Sequence, residues 1–341
     1  MKKTLVALAA LSTFAGAALA QSSVTLFGTV DLAARYTKGN GQNNKQLASD
    51  GLSSSRFGIR GEEDLGAGLK AGFWLESPIG VDTGSAGSGD RFWDRRATVS
   101  LMGAFGEVRL GRGKTSTRLV IDDFDVHSTT GIGAITRIYG GDTALGSDAK
   151  NLNRSSNQVQ YFLPGNLNGV YGSVEAAAGE GVDGNKSYGG RIGYKAGALN
   201  VAGGYQSTDA KGSKFKLGSI GGSYDFGVVK ASALYSQLKF GALKQTIFTA
   251  GVVAPVTAQG QVLAQFSTAS GNAALDNSLG GDAKMYSLGY VHNLSKRTAL
   301  YTTASLIDNG NGAAFRVADK AVASSKGGRS GGLDVGIRHS F

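Results

Sequence analysis

Three kinds of side chain in this sequence could do chemistry, and two of them are placed so that none emerges. The histidines His127, His292 and His339 are far apart, with no nucleophile motif or second ligand beside them, so neither a catalytic base nor a metal centre takes shape. There is no cysteine, which removes thiolate ligands, thiol nucleophiles and disulfides. The acidic pairs Glu62-Glu63 and Asp122-Asp123 lack the spacing of a calcium loop, and the glycine-rich stretches do not join a strand to a helix as a phosphate cradle requires. The chain is expected to be no enzyme and to need no metal or cofactor. The arginines remain. A guanidinium stays charged and offers a rigid fork to carboxylate or phosphate, so its chemistry is to hold anions or to pair with acids. Arg56 and Arg154, together with the pair Arg95-Arg96, are the candidates, and both uses are open to them.

The elements that must carry these arginines repeat with period two rather than 3.6. Val24, Leu26, Val30, Leu32, Ala34 and Tyr36 share one parity, and Thr25, Thr29, Asp31 and Arg35 share the other. Leu69, Ala71, Phe73 and Leu75 oppose Lys70, Trp74 and Glu76; Leu333, Val335, Ile337 and Phe341 oppose Asp334, Arg338 and Ser340. Arg56 shares parity with Arg60 against Phe57 and Ile59, and Arg154 opposes Val159, Tyr161 and Leu163. In an unbroken register Ala97, Val99 and Leu101 make Arg96 the polar-face member of its pair; a bulge would exchange it for Arg95. Tight Gly/Asp/Asn turns such as 64–68, 103–106 and 165–169 alternate with long polar stretches such as 38–53 and 81–90. No amphipathic helix of useful length and no dividing linker is visible, which predicts one β-domain.

Residues 1–20, with Lys2 and Lys3 ahead of an apolar run closed by Ala18-Leu19-Ala20, read as a cleaved secretory signal. Its removal takes the formal charge from +10 to +8 and leaves 21–341 as the folded unit. A mean hydropathy of −0.09 and the lack of a second long apolar run exclude a bundle of membrane helices. Charges recurring inside the strand pattern are costly in the dry core of a soluble sandwich and cheap in a watery lumen. Together with aromatics near strand ends (Tyr161, Tyr205, Tyr224, Phe226), this predicts a transmembrane barrel of about 16 antiparallel strands with an open interior. The basic residues form no patch, so no nucleic-acid partner is expected.

The segments SSVTLFGTVDLA, SRFGIRGEEDLGAGLKAGFWLE (Ser55–Glu76), RRATVSLMGAFGEVRLGR (Arg95–Arg112), TGIG (Thr130–Gly133), YVHNLSKRTALY (Tyr290–Tyr301) and VGIRHSF (Val335–Phe341) resemble the general porins of Gram-negative outer membranes, of the β-proteobacterial and neisserial type. The stretch Thr246–Ser278, rich in Ala, Thr and Gln, matches poorly, and the strand register over 240–285 is left open. The resemblance implies an all-β, 16-stranded barrel whose third loop folds into the lumen. It implies a homotrimer in outer-membrane lipid and lipopolysaccharide, put in place by an assembly machinery that reads the terminal Phe341. Such a channel passes small hydrophilic solutes and ions. Loop 3, from about Gly113 to Lys150, would bring Asp122, Asp123 and Asp125, with Glu76 on the wall, to face Arg56, Arg95, Arg96 and Arg154 across a constriction that prefers small anions. A channel specific for organic acids and a plugged adhesion barrel are the alternatives.

Overall fold

The alternation becomes strands because each strand has two solvents to satisfy. Residues 23–140, 144–310, 312–319, 321 and 325–341 are described by a computed structural model; residues 1–20, expected to be a cleaved signal, lie outside them. Among the described residues there are eighteen strands: β1 (Ser23–Gly39), β2 (Gln42–Ser49), β3 (Arg56–Gly66), β4 (Leu69–Gly80), β5 (Ser85–Ala86), β6 (Arg96–Gly103), β7 (Gly106–Lys114), β8 (Arg154–Phe162), β9 (Val170–Ala177), β10 (Ser187–Ala196), β11 (Leu199–Ala210), β12 (Ser213–Asp225), β13 (Lys230–Phe240), β14 (Leu243–Pro255), β15 (Gly260–Gly271), β16 (Ala283–Asn293), β17 (Thr298–Asn309) and β18 (Arg329–Ser340). Two of them, β2 and β5, are extensions beyond the wall. The other sixteen pair antiparallel in sequence order, and β1 closes the ring against β18, Thr29 opposite Ser340 through Gly39 opposite Ser330. Closure satisfies every strand edge, the condition for crossing lipid with strands.

One face of the wall carries exposed apolar side chains: Val24 is 67% exposed, Ile192 and Ile220 63%, while inward Asp31 and Asp334 are fully buried. Apolar surface on this scale belongs in hydrocarbon rather than water. The last residue joins this face: Phe341 exchanges two backbone hydrogen bonds of 3.1 Å with Gly28, and its ring lies where a Cβ on residue 28 would stand.

The structure corrects three expectations. The stretch 38–53 is not a loop, because Asn40-Gly41, both at positive φ, turns β1 directly into β2, which lies against the upper half of β1. Long connections do not fill the whole of that end either: β11 passes to β12 through Lys211-Gly212, and β13 to β14 through Gly241-Ala242. And Tyr205 stands in the middle of β11, opposite Gly190 and Gly218, rather than near a strand end.

The fourth finding is a helix, α1 (Ser116–Phe124), in the connection between β7 and β8. Thr115 caps it, accepting from the Arg118 amide. Its buried face of Ser116, Thr117, Val120, Ile121 and Phe124 spans nine residues, too short for a periodicity to stand out. A second helix, α2 (Ala273–Asp276), fills the connection before β16.

Candidate functional site: the lumenal constriction

Loop 3 is held inside the barrel by two kinds of contact. The first is a carboxylate on the wall: inward Glu175 of β9 accepts the Ser116 amide at 2.8 Å, the Ser116 hydroxyl, and Gln160 Nε2 at 2.9 Å. A negative group at a helix start also complements the helix dipole. The second is apolar packing over inward glycines. Phe124 occupies the space a Cβ on Gly221 would take, Val126 that on Gly251, and Val120 lies over Gly204. Further along, Ile132, Ile135 and Ile138 join Phe215, Leu217, Leu234, Leu238, Ile247, Met285 and Ile307 of the wall in one buried cluster. The TGIG motif is explained by close approach: Gly131, at φ +76°, leaves no room for a side chain beside the Gly51 carbonyl, and the His127 ring covers Gly133.

The opposite wall is built for charge. Asp31 accepts backbone N–H groups from Gly51, Leu52 and Ser53 and the Tyr301 hydroxyl, and Asp50 accepts the Ser55 amide at 2.6 Å. These bonds fix the turn that delivers Arg56 at the start of β3. Glu76, inward on β4, pairs with Arg95 at 2.5 Å and Arg56 at 3.8 Å. Arg154 donates through Nε to the Arg95 carbonyl. Arg56, Arg95 and Arg154, joined by Lys114, Arg118, Arg137 and Arg338, line one cavity of about 620 Å³ between loop 3 and the wall, and among the described residues no carboxylate is part of its lining. Arg338 and Arg137 were not singled out from the sequence. Parity placed Arg338 on the inner face of the last strand; nothing local marks Arg137, which loop 3 brings in and Asp319 pairs at 2.5 Å.

Three placements differ in detail from the sequence reading. Arg96 keeps its inward register, opposite Glu76, yet lies in a neighbouring cavity with its guanidinium 4.4 Å from the centre of the Trp74 ring. The ladder between β7 and β8 shifts at Gly111 and Gly113, with Asn157 at φ +53°, so the parity counted from Val159 does not extend to Arg154, although its side chain reaches the lumen. The acids of loop 3 do not face the arginines across an opening. Asp122 sits behind Lys114 and Arg118, 2.6 and 2.7 Å away; burial pushes its carboxyl up, but these charges outweigh it and hold the carboxyl below its usual range. Asp123 pairs with Arg191 at 3.1 Å, and burial leaves its carboxyl raised. Asp125 is buried and accepts the amides of His127, Thr129 and Ile135, burial pushing it up to about 6. His127, bonded through Nε2 to the Ser287 hydroxyl at 2.8 Å, is pushed down to about 4 by burial.

A closed barrel with a lipid-compatible outer face, a loop folded inside and a charged gap beside that loop is a channel for small solutes. The comparisons agree on its kind. The profile of the Gram-negative porins matches residues 7–312. The chain is 40% identical to outer membrane porin protein 32 of Delftia acidovorans and 27% identical to the major outer membrane protein P.IB of Neisseria meningitidis, each over the full length of both chains. It superposes on an anion-selective porin from Comamonas acidovorans with a TM-score of 0.84 and 36% identity, over 94% of this chain and all of that one. The chain belongs to the Gram-negative porin family and is an outer-membrane channel.

Proposed function

We propose that this porin is a general diffusion channel that prefers small anions, with Arg56, Arg95 and Arg154 setting the preference at the constriction and Arg96 just beyond it. The cavity lined, among the described residues, by seven basic side chains and no carboxylate carries this reading. Among the described residues, six of them, all but Arg137, share only Glu76 and Asp122 as acidic neighbours within 4 Å, so this cavity keeps an excess of positive charge. Charge at a constriction with low-dielectric walls acts on permeating ions more strongly than the same charge elsewhere. Glu76, Asp122, Asp123 and Asp125 then act by holding the cations and loop 3 in place, rather than as an opposing acidic wall. Transport is passive and no bond is made or broken.

The functional unit is a homotrimer in outer-membrane lipid and lipopolysaccharide, formed after removal of residues 1–20. A trimer form is described for a structurally similar Vibrio cholerae outer membrane protein of the same architecture. Phe341, outward at the closing seam, is the feature the assembly machinery reads. Deleting it is expected to lower the yield of membrane-inserted trimer in a heat-modifiability assay while surviving channels conduct normally.

The reversal potential under a KCl gradient in a planar bilayer tests the central reading. Anion preference is expected, and Arg56→Glu with Arg154→Glu should move the permeability ratio towards cations by about tenfold, corresponding to about 1.4 kcal/mol. Cation preference in the unaltered channel would overturn it.

A further inference from the structure

On the outer face of the barrel, at the loop end, three lysines stand side by side. The register places Lys216 of β12 opposite Lys239 of β13, and Lys239 opposite Lys244 of β14. All three are exposed, while their strand neighbours Phe215, Leu217 and Leu238 are buried on the lumenal side, so the three amines share the outer surface. Directly opposed residues have Cβ atoms about 4.5–5.5 Å apart, and like charges so placed repel. Basic residues beside the row are paired: Lys214 with Asp209 at 2.6 Å, and Arg329 with Asp308 at 3.0 Å. Lys216, Lys239 and Lys244 have no carboxylate within 4 Å among the described residues.

The surface next to the row is layered like one leaflet of a membrane. Towards the middle of the barrel each of the three strands passes through Gly218, Gln237 or Thr246 to Ile220, Tyr235 or Phe248, which the register again sets side by side and which are exposed. Charge above an aromatic and apolar band is the order of a membrane interface. Deeper still, Ala250, Val252, Ala264, Leu288 and Ala304 help to line an apolar depression of about 660 Å³. From Lys244 to Ala250 is about 20 Å along the strand, the length that one leaflet of hydrocarbon covers on a tilted strand. Two-residue turns, Lys211-Gly212 and Gly241-Ala242, bound the row above, so no long connection starts beside it.

We propose that Lys216, Lys239 and Lys244 bind a phosphate of lipopolysaccharide in the outer leaflet, with the acyl chains of that lipid lying over the apolar surface below. The long-connection end of such a barrel faces the cell exterior, where this lipid stands. A phosphate monoester between the three ammonium groups removes their mutual repulsion, and lysine binds phosphate as a point charge on a flexible stem. The proposal rests on the trimer standing in lipopolysaccharide, as proposed above, and names the residues that hold it.

Native mass spectrometry of the delipidated, detergent-solubilised trimer, titrated with bisphosphoryl lipid A, tests this. Lys216→Gln/Lys239→Gln/Lys244→Gln should weaken binding by about tenfold or more, since each lysine near an anionic lipid surface adds its own attraction. Trimer mass and the reversal potential should stay as they were, because the row lies outside the lumen. Replacing all three by Arg should restore binding. Lipid A stripped of its phosphates should bind the unaltered trimer no better than bisphosphoryl lipid A binds the Gln variant. Inorganic phosphate at the same concentration should leave the lipid bound, because it brings no acyl chains. Equal affinity in the Gln variant, or displacement of the lipid by inorganic phosphate, overturns the proposal. Loss of the trimer in the Gln variant would place the row between subunits and overturn it as well. If the unaltered trimer binds no lipid A at all, the reading of its lipid surroundings fails too, whereas equal affinity in the Gln variant overturns the row alone.

Discussion

The two sides of the lumen are built on opposite principles. From β11 to β17 the inner wall carries Phe215, Leu217, Leu234, Leu238, Ile247, Met285 and Ile307, fully buried beneath loop 3. Around β3 to β8 and β18 it carries Arg56, Arg95, Arg154 and Arg338 facing the open cavity. The apolar side decides where loop 3 stands, hence how wide the path is. On the proposed reading, the charged side decides what prefers to pass. Because a packed core and an ion-pair cluster respond to different substitutions, width and selectivity should be separable.

The strongest way to break that division is to unseat the loop. Phe124→Ala removes a fully buried ring, and a change of this kind costs about 3–5 kcal/mol. Gly221→Ala attacks the same contact from the wall, placing a Cβ well inside contact distance of the Phe124 ring. Both should raise single-channel conductance as loop 3 leaves the wall, with a smaller anion preference because Arg118 moves with it. If conductance stays unchanged while the protein folds, the apolar wall does not set the width.

The charged side was legible in the sequence and the apolar side was not, for a physical reason. Parity finds lumenal arginines because a charge cannot face lipid, so Arg56 and Arg96 are placed by their neighbours alone. Phe215 and Leu217 reverse that logic. They point inward while Lys214 and Lys216 of the same strand point out, because this part of β12 lies at the loop end, where the outside is no longer hydrocarbon and the inside is loop 3. A rule that sends apolar residues to lipid fails where the lumen has a core of its own. Glycine marks turns in the sequence; Gly204, Gly221 and Gly251 are instead a seat for loop 3, which only the fold reveals. The resemblance sets the loop acids opposite the arginines, and a resemblance does not show that Asp122 is already paired with two cations.

A smaller effect tests that pairing. Asp122→Asn removes the carboxylate shared by Lys114 and Arg118 while retaining an acceptor for Thr129, whose hydroxyl donates to Asp122 at 2.6 Å. Anion preference should rise, by about threefold or less in permeability ratio, because the released cations remain partly screened by salt. If Asp122 instead formed an opposing acidic wall, its removal would also abolish the transverse field, and the conductance of dipolar solutes would change along with that of ions.

The smallest effect joins the two sides at the point where loop 3 turns from helix to chain. Asp125 is raised to about 6 by burial, so its contribution to holding the loop is fully present below the ordinary carboxyl value and is lost as pH rises through 6. His127 is lowered to about 4, so its contribution is present above the ordinary imidazole value and is lost as pH falls through 4. Between about pH 4 and 6 the two slopes oppose each other at about 1.4 kcal/mol per pH unit each, and the loop's stability should be nearly level. Each substitution uncovers the other group. Asp125→Asn should leave loop 3 weakening as pH drops towards 4, and His127→Asn should leave it strengthening over the same range, read from amide hydrogen exchange of 116–139 against pH. A level profile in both variants would mean that neither group changes charge when the loop lets go.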